Sequence, residues 1–224
     1  MKALLYKEFK LAMHPVCYVF VILFPLMTLI PSYPLGIGFI YVLTCYPILF
    51  LGANKGQQSN DLLFSTLLPV RKKDIVKARI ATVAILQFSF MAITSALFPL
   101  SLLISQATPG TTVPGIGHNG FVSLLGLAII GYSLADLIYF PIYYKKGKSI
   151  VASTLFTILG FVFYIGIFTI GLPFVPGMEW YTGFLCESGL GYQFLFLGIC
   201  LLLYVGIHYL IYRIASKELE RVDF

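Results

Sequence analysis

The chain has 224 residues, of which 59% are hydrophobic and only 11% are charged. This composition leaves too little polar surface for a water-soluble domain of that length, so a lipid bilayer is the expected solvent. The net charge of +6 would suit a nucleic-acid partner, but the basic residues flank apolar runs, where they orient the chain and contact lipid headgroups, so no nucleic acid is expected to bind.

Six apolar runs, each near the roughly 20 residues that cross a hydrocarbon core, predict an all-α polytopic membrane protein with six transmembrane helices in a single domain. In chain order, the predicted spans are residues 16–32, 35–53, 80–104, 121–141, 150–172 and 192–212. The first span is expected to remain as an anchor, because no small-x-small cleavage site follows it.

The basic residues predict the orientation of these spans. All fifteen Lys and Arg residues lie before the first span, after the sixth, or in the connections that follow the second and the fourth. Short loops rich in Lys and Arg are retained in the cytoplasm. Both termini and these two connections are therefore predicted to be cytoplasmic.

The connection at residues 54–79 carries six of the fifteen basic residues and has helical features. Ser59 or Asn60 can cap a helix whose apolar residues recur at helical spacing, and Pro69 ends it. A second helix is predicted to start after Val70 and to run directly into the third span. These features fit an interfacial helix on the lipid headgroups as well as a helix that docks on a partner protein.

The same connection contains a distinctive series, with a leucine pair, a Leu-Pro-Val turn, a basic cluster and an Ile-Val-x-x-Arg helix. The series consists of Leu62, Leu63, Phe64, Ser65, Thr66, Leu67, Leu68, Pro69, Val70, Arg71, Lys72, Lys73, Asp74, Ile75, Val76, Lys77, Ala78 and Arg79. It resembles the first cytoplasmic loop of ABC-2-type transporter permeases. Residues 4–10 are similar to the amphipathic N-terminal elbow helix of that family, and Pro141, Tyr144, Gly147 and Lys148 are similar to its second cytoplasmic loop.

In that family, the first loop carries a coupling helix that docks on a separate ABC ATPase, or nucleotide-binding, subunit. The resemblance implies this ATPase-coupling role for Asn60, Asp61, Leu62, Leu63, Phe64, Leu67, Leu68, Arg71, Lys72 and Lys73. It also implies a non-catalytic permease subunit that pairs with a second copy of itself in a bacterial plasma membrane. Membrane subunits of Gram-positive peptide exporters, among them the phenol-soluble modulin exporter, are the most similar, which implies an amphipathic peptide or lipid-like substrate.

ATP and Mg²⁺ are expected in the partner subunit, and no cofactor is expected in this chain. A phosphate-binding loop needs Gly-x-x-x-x-Gly-Lys-Ser/Thr. Gly147, Lys148 and Ser149 supply only the tail of that motif, since Ile142 stands where its first glycine is required. The three histidines lie far apart and have no Cys or carboxylate neighbour at ligand spacing, so no metal site is expected.

Asp136 and His208 are the candidate pathway or intramembrane polar residues. A charge inside a span costs at least roughly 2.5 kcal/mol unless it is paired, protonated or hydrated. Asp136 lies about five residues from the inner end of the fourth span, so it can serve the pathway or simply reach interfacial water or Lys145. His208, near the inner end of the sixth span, has the same two interpretations.

Two other functions fit six spans. An ion-gradient-driven secondary transporter would need no ATPase, but such proteins usually show internal repeats and paired intramembrane charges, which the sequence does not make evident. A rhomboid-like intramembrane serine protease would need Ser133 and His208 within hydrogen-bond reach. Leu134 stands where the glycine after the serine is expected, which argues against the protease.

Overall fold

A computed structural model describes residues 2–12, 16–27, 70–107, 121–145, 150–167 and 190–221, together with positions 29 and 175. All regular elements in this part of the chain are helical, as predicted. They are α1 (Lys2–Lys7), a π-helical segment (Glu8–Ala12), α2 (Val16–Met27), α3 (Lys72–Ala107), α4 (Phe121–Lys145), α5 (Ile150–Ile165) and α6 (Leu190–Glu220).

Three of the described helices, α3, α4 and α6, are long and apolar enough to cross a membrane. The 25 residues of α4 extend about 38 Å at 1.5 Å per residue, more than a hydrocarbon core of about 30 Å requires. Two shorter apolar helices, α2 and α5, accompany them. The span predicted at residues 35–53 lies outside the described residues.

Two helices are longer than the apolar runs from which they were predicted. The apolar run of the third span covers residues 80–104, and α3 begins before it, at Lys72, in agreement with the predicted helix that starts after Val70 and runs into that span. Asp74 in the first turn favours a helix start there, because it interacts with the positive end of the helix dipole. Likewise, α6 continues past residue 212 to Glu220. Hydropathy marks the apolar part of a span, whereas these two helices continue into segments that carry Lys, Arg and Glu side chains.

Side-chain contacts fix the relative directions of the three long helices. The rings of Phe98 and Phe121 stack with centroids 3.7 Å apart, so the end of α3 lies beside the start of α4. At the other end of α3, the Lys73 ammonium lies 3.2 Å from the Glu220 carboxylate, so the start of α3 lies beside the end of α6. Both α4 and α6 are therefore antiparallel to α3 and parallel to each other.

The central helix of the described bundle is α4, whose side chains are buried along most of its length. Its glycines allow two neighbours to approach closely. A Cβ on Gly131 would lie 3.0 Å from the rings of Phe161 and Tyr164 on α5, and the Tyr164 hydroxyl donates a 2.8 Å hydrogen bond to the Leu127 carbonyl. A Cβ on Gly126 would lie 2.9 Å from the side chain of a phenylalanine on α6. Close helix approach through small residues is common in membrane bundles.

The N-terminal segment is attached to α3 by a buried ion pair. The Arg79 guanidinium donates from Nε to the Glu8 carboxylate at 3.0 Å, and both side chains are 5% exposed. The Lys7 ammonium lies 3.8 Å from the same carboxylate. Because each buried charge has an opposite charge beside it, the N-terminal segment is held in place against the first turns of α3.

Candidate functional site

A polar network in the interior of the bundle connects α3, α4 and α6. The carboxyl of Asp136 on α4 is fully buried. Its Oδ2 accepts a 2.9 Å hydrogen bond from the Gln87 side-chain amide on α3 and lies 3.0 Å from Nε2 of His208 on α6. One carboxyl oxygen therefore contacts polar groups from both neighbouring helices.

Tyr204 completes the network. Its hydroxyl donates a 2.6 Å hydrogen bond to the Gln87 carbonyl oxygen, so both ends of that amide are used. Tyr204 and His208 lie four residues apart on one face of α6, and their rings stack with centroids 3.9 Å apart. This stacking fixes the plane of the imidazole and directs Nε2 towards Asp136.

The contacts of the imidazole assign its protons. Nδ1 of His208 lies 2.9 Å from the Tyr204 carbonyl oxygen, which can only accept, so Nδ1 carries a hydrogen. The remaining proton lies between Nε2 and the Asp136 carboxyl. Whether it is on the imidazole or on the carboxyl, the pair has no net charge, which removes most of the cost of placing an acid among apolar helices.

The structure brings together the two intramembrane residues that the sequence singled out separately. Asp136 is paired inside the bundle, whereas Lys145, the alternative partner, is exposed at the end of α4, about 14 Å further along the axis. Gln87 and Tyr204 were missed. A signal for Gln87 was available: Gln87, Asp136 and His208 lie seven, five and four residues from the inner ends of their predicted spans, and therefore at similar depths.

The serine–histidine pair of a rhomboid-like protease is not formed. The Ser133 hydroxyl donates a 2.8 Å hydrogen bond to the Ile130 carbonyl of its own helix. Both ring nitrogens of His208 contact other groups, Nε2 the Asp136 carboxyl and Nδ1 the Tyr204 carbonyl. The imidazole is therefore not placed to take a proton from Ser133, and that alternative lacks its catalytic geometry.

Of the predicted ATPase-coupling residues, Asn60, Asp61, Leu62, Leu63, Phe64, Leu67 and Leu68 lie outside the described residues. Arg71 is exposed just before α3, and Lys72 and Lys73 open that helix. Lys73 forms its ion pair with Glu220 while both side chains remain about half exposed. The basic cluster thus lies at one end of the bundle, beside the end of α6.

No group of three or more His, Cys, Asp or Glu side chains within the described ranges could hold a metal ion. The network offers hydrogen bonds between helices and a proton shared by His208 and Asp136.

The chain matches a known protein family over most of its length. A family model described as "ABC-2 family transporter protein" matches residues 3–214, which include α2 through α5 and most of α6. No curated protein and no solved structure matches the chain.

Proposed function

Because the chain belongs to the ABC-2 family of transporter proteins, we propose that it is the permease subunit of an exporter driven by ATP hydrolysis on a separate subunit. The family match across residues 3–214 is the observation that carries this proposal. ABC-2 permeases typically pair with an ABC ATPase subunit. In the proposed assembly, two copies of the chain lie in a bacterial plasma membrane, and the end that carries Lys73 faces the cytoplasm and the ATPase.

The proposed cargo is an amphipathic peptide of the phenol-soluble modulin type or a lipid-like molecule. The support is the similarity of residues 62–79 to the corresponding loop of peptide exporters. The test is loss of export: cells that lack the chain should retain a fluorescent amphipathic peptide that wild-type cells expel. Equal retention by both strains would remove this class of cargo and leave the family assignment intact.

The role proposed for the polar network is to hold three helices in one relative position by hydrogen bonds that can break and re-form. Asp136 is fully buried, so in this conformation its carboxyl does not line a water-filled path. Its contacts instead hold α3, α4 and α6 in one relative position. An exporter must let helices shift as cargo passes, and directional bonds that break and re-form define discrete positions better than apolar contacts do.

The partner is tested by purifying the tagged chain in mild detergent and assaying the eluate for a nucleotide-binding subunit and for ATP hydrolysis. We expect both to be recovered, and both to be lost when Leu63, Phe64 and Leu67 are replaced by Glu. Recovery of the wild-type chain alone, without ATPase activity, would overturn the proposal.

The Lys73–Glu220 ion pair gives this experiment a sharper control. Lys73→Glu both removes a cation from the proposed docking surface and breaks a contact within the chain. Adding Glu220→Lys restores the internal pair with reversed signs. If Lys73 contacts the ATPase, the double variant keeps the stability of the wild type but still loses partner. Full recovery of the partner in the double variant would assign Lys73 to the fold alone.

An ion-gradient-driven transporter is the second candidate, and the Asp136–His208 pair is the observation that favours it, since such pairs relay protons in other transporters. The two functions differ in their energy source. In proteoliposomes made with the chain alone, a gradient-driven protein transports cargo until a protonophore is added. The permease proposed above transports nothing without its ATPase and ATP.

A further inference from the structure

A polar groove lies where the end of α6 meets the start of α3. It has a volume of about 370 Å³. It is lined by Lys73 of α3 and by Tyr209, Tyr212, Arg213, Ser216 and Lys217 of α6, and Glu220 closes one side. The residues of α6 recur every three or four positions, so they form one face of that helix.

The groove has an excess of positive charge. Its three cations face a single carboxylate, and that carboxylate, on Glu220, is already paired with Lys73 at 3.2 Å. Arg213 and Lys217 are exposed and have no ion-pair partner among the described residues. The groove therefore has a net charge of +2, concentrated on two cations that are available to an anion.

The same face of α6 is apolar immediately before the groove. Leu202, Val205 and Tyr209 lie three or four residues apart and are 75%, 67% and 62% exposed. Side chains of this kind are expected to face lipid acyl chains in a membrane protein. These three side chains form an apolar stripe along α6, and Arg213 is the first cation that follows on the same face. The groove therefore lies at the boundary between hydrocarbon and headgroups.

Ser216 supplies an independent observation. It is only 3% exposed, and its hydroxyl has no hydrogen-bond partner among the described residues. Buried hydroxyls are normally paired, because leaving one without a partner is unfavourable. A ligand oxygen bound in the groove would provide the missing partner.

We propose that this groove binds the phosphate headgroup of an anionic phospholipid, whose acyl chains lie along the apolar stripe of α6. Arg213 and Lys217 pair with the phosphate, the tyrosines lie at the headgroup level, and Leu202 and Val205 contact the chains. The apolar stripe favours a lipid over free phosphate, because a soluble anion would use the cations but not the exposed leucine and valine. The inference requires only that the chain spans a membrane, so it stands apart from the ATP-driven export proposed above.

The test is native mass spectrometry of the full chain in neutral detergent, titrated with phosphatidylglycerol. Phosphatidylcholine and inorganic phosphate are the comparison ligands. The variant Arg213→Gln with Lys217→Gln removes both available cations. The matched control, Lys77→Gln with Lys145→Gln, removes the same number of exposed charges outside the groove. Each juxtamembrane cation strengthens the binding of anionic lipid, and losing two should weaken phosphatidylglycerol binding about 30-fold. Binding by the control variant should stay within about 3-fold of that by the wild type.

A second variant keeps the test decisive if the charge variant does not fold. Ser216→Ala removes only the unpaired hydroxyl and should weaken phosphatidylglycerol binding about 5-fold, the usual contribution of one hydrogen bond. Equal losses in the groove and control variants, or wild-type affinity for phosphatidylcholine equal to that for phosphatidylglycerol, would overturn the proposal. So would inorganic phosphate that competes away the lipid at the same concentration, or groove variants that lose an ATPase partner while retaining lipid.

Discussion

Replacing Asp136 by Ala should weaken the packing between α3, α4 and α6, because the carboxyl is where their polar groups meet. The change removes at least two interhelical hydrogen bonds, the one donated by Gln87 and the one in which Asp136 and His208 share a proton. Interhelical hydrogen bonds in membrane proteins contribute about 0.6 kcal/mol on average and about 1.7 kcal/mol at most. The expected loss of unfolding free energy is therefore about 1 to 3 kcal/mol.

The assay is thermal unfolding of the purified chain in detergent, where this loss should lower the midpoint by roughly 2 to 12 °C for a chain of this size. Ser133→Ala is the matched control, since Ser133 is also buried on α4 but its hydroxyl donates to a carbonyl of its own helix. Asp136→Asn should lose less than Asp136→Ala, because the amide keeps the size of the carboxyl and one of its two contacts. It cannot keep both, since Gln87 and His208 meet the same oxygen and an amide atom there either accepts from Gln87 or donates to His208. If Asp136→Ala unfolds at the same temperature as Ser133→Ala, the network does not hold the helices together.

Two further substitutions test the packing around this network by the same unfolding assay. Gly131→Ala places a methyl 3.0 Å from two buried rings and should lower the free energy of unfolding by about 1 to 3 kcal/mol. Gly198→Ala, with open space around it, should raise that free energy by up to about 1 kcal/mol through helix propensity. Equal effects of the two substitutions would contradict close packing at α4. Glu8→Ala removes the carboxylate that lies beside the buried cations of Arg79 and Lys7 and should cost about 3 to 5 kcal/mol, against about 0 to 1 kcal/mol for Glu218→Ala in an exposed pair. A Glu8→Ala loss below about 1 kcal/mol would mean that the N-terminal segment is not held by this ion pair.

The helical class and the membrane environment could be predicted from the sequence. A chain surrounded by lipid needs apolar runs long enough to cross the bilayer, and those runs can be recognised without knowing how the helices pack. The sequence also predicted the family from the series at residues 62–79, and the match over residues 3–214 confirms that level of the resemblance. The closer similarity to peptide exporters, the six-span count and the coupling role of residues 60–68 stay predictions.

The polar network could be predicted only in part, since hydropathy identifies Asp136 as costly but does not name its partner. That partner, His208, lies 72 residues away, and its position depends on α4 and α6 being parallel neighbours. Gln87 was overlooked because an amide lowers the hydropathy of a span only slightly, although its depth matches that of Asp136. The buried Glu8–Arg79 pair could not be foreseen for a similar reason, since a charge next to a predicted span normally faces water.

The separation of the network's members along the chain has a consequence for biogenesis. When Asp136 is added to the growing chain, Gln87 has already been made, 49 residues earlier, but His208 is still 72 residues from synthesis. At about 5 to 20 residues per second, Asp136 waits roughly 4 to 14 s for its imidazole. During that interval the Gln87 amide is available to the Asp136 carboxyl, but the imidazole is not. Insertion of the last helix therefore supplies the imidazole as well as the packing surface of α6, and a chain that stops before α6 lacks the group that shares a proton with the buried carboxyl.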